Sequence, residues 1–467
     1  MSSERRSNWT LAAYAATCLP LAGLTLPLVV YLPEYYTSEL GLSLTDVGLA
    51  FMAVRLLDMA FDPFIGGVMD RTRSRFGRFK LWFAIGVPIL MAATAALFMA
   101  KPGVTTTYLW FWLLVVYAGT SIGSLSQLGW GAMLSPHYDQ RSRIYGWWQA
   151  GNIVGMILVL TLPAMLPLVG IKGHNIGVAA MGWFIIITLP LTAALALWKA
   201  PEPRLTIPPR RSGLMEYLAL LRRPSVVRLL VVDFLTGTGP AITGALFFFY
   251  FERVKGFEKG TASLLLLLYF LGGLIGAPLW TWMAMKIGKH RALAFSGLIY
   301  AAMTVCALAI PQGNFIIGAL LMFAIGVPYA AGAFLLRAMM ADVGDEERLA
   351  SGHDRTGLLY ALLQGTVKIG SAVAVGVAFP LLALMGFDPT QTGVADGLGG
   401  LALLFVGIPA GMAVLASWLV MSFPITATRH AEIRDALAAR DLEDAALAGR
   451  PSPLPAQDFD AAVRPAE

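Results

Sequence analysis

Charge is what this sequence has least of. Only 13% of its 467 residues are Asp, Glu, Lys or Arg, while 57% are hydrophobic. A soluble chain carries about 25% charged residues, so the shortage excludes an ordinary soluble enzyme and points to a bilayer. Cysteine is nearly absent. Cys18 and Cys306 both lie inside apolar stretches, which excludes a disulfide framework and a thiolate metal site. His137, His174, His290, His353 and His430 fall in loops or at the ends of apolar runs, so an intramembrane haem or metal centre lacks its usual ligands. No Gly-Lys-Ser/Thr loop is present to cradle phosphates, and ATP-driven transport and a bound cofactor are not expected. No nucleophile and base stand together either, so the chain does not read as an enzyme. The formal charge of +6 sits between apolar stretches, where it sets membrane topology rather than nucleic-acid binding.

Apolar runs are what the chain has in quantity. Twelve, each long enough to cross a bilayer as a helix, lie at about residues 10–33, 47–69, 80–100, 107–133, 146–169 and 177–199, then 227–251, 261–285, 291–311, 314–341, 357–385 and 398–423. The expected fold class is an all-α membrane protein with twelve transmembrane helices. Its first partner is the lipid bilayer; the sequence does not set the oligomeric state, and a monomer is compatible with it. Basic residues collect on one side: Arg5 and Arg6 in the leader, Arg71, Arg73, Arg75, Arg78 and Lys80 after the second run, and seven more between Lys199 and Arg228. The other side holds Lys101, Lys172 and an exceptional cluster of Arg253, Lys255 and Lys259. By the positive-inside rule both termini and the central linker are cytoplasmic, in a multi-pass cell-membrane protein, the inner membrane if bacterial. The first run follows a basic leader as a signal peptide would, yet it has about 24 residues and no small-residue cleavage site. It reads as a retained helix.

The segment 200–226, with Pro201, Pro203, Pro208, Pro209 and Pro224 among basic residues, divides the chain into six-helix bundles at 1–199 and 227–423, followed by a tail at 424–467. A repeat supports the division. GGVMDRTRSRFGRFK follows the second run and MAMKIGKHRALAFSG the eighth, which sets Gly77 against Gly288. Parallel six-helix repeats are the signature of transporters whose two parts rock about a central site. In the tail, ATRHAEIRDALAARDLEDAALAG predicts a short amphipathic helix before a Pro-rich, disordered remainder.

Inside the runs stand Arg55, Asp58, Asp62, Asp233, Arg337 and Lys368. Each costs several kcal/mol unless paired, hydrated or ion-bound. At about 100° per residue, Arg55, Asp58 and Asp62 fall near 0°, 300° and 340° on one helix face. Two ionised carboxylates a turn apart repel, so the pair invites a bound cation or a shared proton. Lys368 is deep enough to neutralise an acid when no cation is bound. Asp233 and Arg337 lie near span ends and read as interfacial, structural residues. Asp70, Arg71, Arg75, Gly77 and Arg78 form a helix end and basic turn able to latch two bundles through charge and dipole contacts.

The stretch DMAFDPFIGGVMDRTRSRFGRFKLW, which holds Arg55's two acids, Pro63, Gly66, Asp70, Gly77 and Trp82, resembles the helix-two-to-three signature of the glycoside-pentoside-hexuronide:cation symporters, the melibiose-permease branch of the major facilitator superfamily. QGTVKIGSA and MADVGDEERLASGHDRTGLLYAL resemble its helix-eleven segment and the loop before it. The resemblance implies the major facilitator fold and a cation-coupled symporter importing a small solute, a sugar or glycoside foremost, with Na⁺ or H⁺. It implies a cation site at Asp58 and Asp62 with Lys368 and Arg55 beside it, and a cytoplasmic latch from Asp70 to Arg78. The family's charged sugar clamp is missing, for Ala22, Ser126 and the neighbourhood of Trp147 and Trp148 stand at its positions. Trp130 matches a family aromatic able to stack on a sugar face, and Ser126, Asn152 and Gln364 are the polar groups expected in the cavity. The loss of the clamp keeps an amphiphile or lysolipid carrier of the same fold in play, as well as a transporter-like sensor.

Overall fold

The computed structural model describes residues 7–72, 74–134, 138–166, 170, 174–202, 214–353, 355–390 and 397–447. Arg5, Arg6, Arg73, Lys172, most of the proline-rich linker and the tail beyond Leu447 lie outside the described residues. The side chain of Asp70 does too. Every regular element among the described residues is helical. The first set comprises α1 (Asn8–Ala16), α2 (Cys18–Ser38), α3 (Leu44–Arg71), α4 (Arg78–Phe98), α5 (Thr106–Met133), α6 (Tyr138–Met165) and α7 (His174–Lys199). A short α8 (Leu214–Leu220) leads into α9 (Pro224–Ala245), α10 (Phe247–Phe249), α11 (Lys259–Ile287) and α12 (Lys289–Cys306). Then come α13 (Phe315–Ser351), α14 (Thr356–Leu384), α15 (Leu398–Ala402), α16 (Ile408–Met421) and α17 (Ala427–Leu447).

Among the described residues, eleven segments are long and apolar enough to cross a membrane. The 28-residue α3 is the twelfth member of the bundle; Arg55, Asp58 and Asp62 in its central turns keep it out of the eleven. The fold is that of a twelve-helix membrane protein. Helix starts follow their capping residues: Ser43 accepts the Asp46 N–H at 3.1 Å, and Asn314 accepts that of Ile317 at 3.1 Å, each satisfying an otherwise orphaned donor. α13 runs ten residues beyond the predicted 341, because MADVGDEERLAS continues as a polar helix past the apolar stretch. Large apolar side chains such as Ile316, Leu320, Trp418 and Leu384 are exposed on the outer wall, as lipid contact requires.

Two close crossings depend on glycine. A Cβ at Gly272 or Gly276 of α11 would lie 2.1 Å from the carbonyl oxygen of Phe323 or Val327 on α13, and one at Gly326 would lie 1.9 Å from that of Tyr269. In the first set, Gly151 and Gly155 of α6 approach the carbonyls of Ala15 and Leu19 at 2.5 and 2.4 Å in the same sense. Glycines four apart let helix backbones touch where lipid offers no hydrophobic drive to association. The repeat seen in the sequence recurs in the backbone. Gly77 (φ 99°, ψ 149°) caps α4 and Gly288 (φ 90°, ψ 149°) caps α12, a conformation open to glycine alone.

The two sets meet along α3 and α14 and again, closely, at the end that carries Glu34 and Lys259. There Tyr31 of α2 packs on Phe248 of α10 with ring centres 4.7 Å apart, and within the second set Tyr250 stacks on Phe405 at 4.0 Å. Near the middle, α3 lies along α14, and Gly376 is filled by Met52. The predicted tail helix forms as α17 and docks on α13. Ile433 and Leu437 are buried, and His430 Nε2 lies 2.9 Å from Asp345 Oδ2 and 3.5 Å from Asp342 Oδ1.

Candidate functional site

The spacing on α3 does what helical geometry dictates: Arg55, Asp58 and Asp62 share one face, and that face meets α14. Lys368 Nζ lies 2.8 Å from Asp58 Oδ2 and also donates to Asp62 Oδ2. Arg55 reaches Asp58 Oδ2 at 3.4 Å, donates from Nε to Ser371 Oγ at 3.3 Å and lies 5.0 Å over the Tyr117 ring. Two cations therefore balance two carboxylates. Asp58 is 2% exposed, so its charge depends wholly on these partners, since a charged side chain in a spanning helix costs about 2.5–3.5 kcal/mol even on the mildest scale.

Sequence reasoning missed the third helix of this cluster. Ser121 of α5 is buried with its Oγ 2.6 Å from Asp58 Oδ1 and 2.6 Å from Asp62 Oδ1. One hydroxyl carries one hydrogen. It donates to one carboxylate, and the second contact is a hydrogen bond only when the other carboxyl holds a proton. A proton on either carboxyl therefore changes the hydrogen bonding of Ser121.

A cavity of about 520 Å³ lies between the two sets, lined by α2, α6, α9, α11, α13 and α14. Its wall is largely apolar, with Leu26, Val29, Met156, Phe247 and Phe270. Polar groups are few: Thr25, Gln149, Asn152, Asp233, Thr236, Thr243, Tyr269, Tyr329, Arg337 and Ser371. Ser371 joins cavity to cluster, because it lines the one and accepts from Arg55 of the other. Ala22, at a position the family resemblance assigns to the lost clamp, does line the cavity.

The predicted solute residues divide. Asn152 lines the cavity and anchors its Nδ2 on the Trp148 carbonyl at 2.8 Å. Ser126 does not line it; it is wholly buried, bonded to the Ile122 carbonyl and set against Met69. Trp130 is also wholly buried, between Tyr14 and Phe83, with its Nε1 donating to the Pro201 carbonyl at 3.1 Å. It packs the base of the first set and is not placed to stack on a solute in the cavity. Gln364 is exposed on the turn before Val367, outside the lining. Asp233 and Arg337, read from sequence as interfacial, both face the cavity. For Arg337 a position near the end of the apolar run misled, because α13 extends so far past its apolar part; Asp233 lies near the middle of α9.

The basic turn is held by a residue the sequence did not single out. Glu202 accepts the backbone N–H groups of Arg78, Phe79 and Lys80 at 3.0, 3.1 and 2.9 Å, an acid on the positive end of α4. It also sits against Gly77, where a Cβ would lie 2.2 Å from Glu202 Oε2. Arg71 is exposed, Arg75 lies over the Phe76 ring and Arg78 over that of Phe79.

Residues 13–427 match the sequence model of the MFS/sugar transport protein family. Similar proteins include the inner membrane symporter YicJ of Escherichia coli K12, 23% identical over 78% of this chain and 80% of that one. The isoprimeverose transporter of Lactiplantibacillus pentosus is 23% identical over 81% of each. In three dimensions the nucleoside transporter NupG superposes with a TM-score of 0.60 at 15% identity, covering 89% of this chain and 99% of that one. A bacterial homologue of the human lysosomal transporter Spinster gives 0.60 at 15%, covering 94% and 98%.

Proposed function

This chain belongs to the MFS/sugar transport protein family, and from that premise we propose that it is a cation-coupled symporter that imports a small saccharide by alternating access. The observation that carries the reading is the bridge from Lys368 on α14 to both Asp58 and Asp62 on α3. The ammonium occupies the place that a coupling cation needs. When Na⁺ or H⁺ neutralises the acids, Lys368 loses its partners, the α3–α14 contact loosens, and the two sets are free to rock about the cavity. Arg55 passes the change to the solute through Ser371. Inward cation movement adds about 2.3 kcal/mol per charge per 100 mV.

The tight end at Lys259 is the closed, extracellular side in this reading. The termini and the Gly77 turn are then cytoplasmic, with the α4 end of that turn held by Glu202. The test is uptake into proteoliposomes under an imposed Na⁺ gradient and, separately, a pH gradient. Asp58→Asn and Asp62→Asn are expected to lose gradient-driven accumulation, with one gradient alone driving the parent. Retained accumulation in both variants refutes the coupling role.

The apolar lining favours a second reading, an amphiphile carrier of the same fold. Long-chain lysolipids that block saccharide binding at low concentration, and themselves accumulate, support it. A sensor signalling through α17 predicts that deletion of residues 430–467 abolishes signalling in the absence of any uptake.

A further inference from the structure

We infer that α17 is a pH-sensitive strap on the end of the second set that lies away from Lys259. Charged His430 fastens it to the acidic extension of α13, neutral His430 lets it go, and the fastened strap favours the state seen here. The inference goes beyond the transport reading and does not depend on which cation or solute is carried. α13 runs past its apolar part as MADVGDEERLAS, and the acids of that extension tie neighbouring helix starts together. Glu347 pairs with Arg223 at 3.0 Å and with Arg355 at 2.9 Å, and Glu346 accepts the Ser225 hydroxyl at 2.7 Å. Lys289 of α12 donates to both oxygens of Asp342 at 2.7 Å. The partner of Asp345 among the described residues is His430 of α17, whose Nε2 lies 2.9 Å from Asp345 and 3.5 Å from Asp342. On α17 itself Arg429 pairs with Glu432 at 2.8 Å, while Arg434 and Asp435 are exposed.

Around His430, then, stand the carboxylates of Asp342 and Asp345 and the ammonium of Lys289. A protonated imidazole balances them, and a neutral one leaves a negative charge over. Histidine changes charge between about pH 5 and 8. Because docking sets two carboxylates beside the ring, it takes up a proton, so it is strongest on the acid side and weakens as the pH rises. What else holds the strap is modest. Ile433 and Leu437 are buried, and Arg440 donates to the Arg348 and Leu349 carbonyls near the end of α13 at 3.4 and 3.3 Å. Two apolar side chains are a small seat for a helix of 21 residues, so one charge-assisted bond weighs in the balance of docked and free. The dock is coupled to the cavity through a single element. α13 is one continuous helix of 37 residues, and its Tyr329, Gly332 and Arg337 line the cavity. A tilt that reshapes the cavity therefore moves the dock as well, and a strap that fits one position of α13 favours it.

The experiment labels the full chain with a maleimide at Leu437→Cys, buried in the docked strap, and at Leu442→Cys, exposed on the same helix, each in a Cys306→Ser background where Cys18 is buried. The ratio of the two rates cancels the pH dependence of the thiol itself. From about pH 6 to about pH 8 the ratio is expected to rise about fivefold, the gap between a charged and a neutral hydrogen bond. His430→Gln is expected to flatten the rise, and His430→Arg to keep the ratio low throughout. A ratio that stays flat with His430 in place, or a rise that survives His430→Gln, overturns the inference. Should Leu437→Cys free α17 by itself, trypsin cleavage at Arg434 and Arg440 in the unlabelled chain replaces it. Cleavage must then accelerate with pH more steeply than in His430→Gln, and equal slopes overturn the inference. The hold on the cycle is read at Val29→Cys on the cavity wall, labelled from the Lys259 side at about pH 8. His430→Arg is expected to react about fivefold more slowly there than His430→Gln. Equal rates would make α17 a fixed support and overturn its role as a strap on the cycle.

Discussion

Ser121 has one proton and two carboxylates to serve, and that mismatch makes the α3 pair responsive. With Lys368 present the excess negative charge is held by an ammonium on a flexible stem; without it, Asp58 keeps only Arg55 at 3.4 Å. Lys368→Ala is therefore expected to abolish gradient-driven uptake and to make the chain hungrier for a cation. The melting temperature of the variant should rise with added Na⁺ or falling pH more steeply than that of the parent, toward the roughly 2.7 kcal/mol that a ligand supplies at a hundred times its Kd. A variant indifferent to both would mean that Lys368 serves only to pin α3 to α14. Ser121→Ala leaves a buried acceptor short of one donor and is expected to cost about 1–3 kcal/mol, read in the same melts. The acids, Arg55 and Lys368 were legible in the sequence because charge inside an apolar run is rare and helical spacing assigns a face. Ser121 was not, since a serine in a spanning helix commonly bonds its own backbone, and nothing local marks one whose partners lie 63 and 59 residues away.

At the scale of elements, the lengths of the helices were legible and their contacts were not. Apolar runs bounded by charge give the spans, and Gly77 and Gly288 announce the repeat. The crossing of α11 and α13 is written in Gly272, Gly276 and Gly326, but only the fold says which backbone each glycine meets. Gly276→Val would drive methyls into the Val327 carbonyl and force the helices apart. The expected loss is about 1–3 kcal/mol or more, seen as a lower melting temperature in detergent and a weaker response to any bound solute. Gly411 of α16, with nothing within 4 Å of a Cβ, is the control. Gly411→Ala is expected to gain about 0.5–1 kcal/mol from the helix backbone alone. A similar fall in both variants would show that the close approach at Gly276 is not what sets the loss. The tail helix teaches the complementary lesson. Its amphipathic pattern predicted α17, yet the acids of α13 that receive His430 became its partners only because α13 extends beyond its apolar part.

Taken whole, the molecule is tied across its two sets by the Lys259 and Lys368 clusters among the described residues, and a transporter must release one such tie each time it turns. At the tight end Lys259 Nζ lies 2.8 Å from Glu34 and 2.8 Å from Glu39, with Glu252 at 3.9 Å. Glu34 is wholly buried and Lys259 is a direct ion-pair partner of its charge; removing one partner of such a pair costs about 3–5 kcal/mol. Opening this end in alternating access breaks the pair and wets Glu34. Lys259→Ala is thus expected to destabilise the state seen here more than its alternative. Val29→Cys, on the cavity wall, reports the change in a Cys306→Ser background, where Cys18 is buried. A membrane-impermeant maleimide added from the Lys259 side should label the double variant at least tenfold faster, a shift of about 1.4 kcal/mol in the balance of states, and more slowly from the other side. A drop in melting temperature with labelling unchanged from both sides would make Lys259 an anchor rather than a gate, and alternation would then turn on the Lys368 bridge alone.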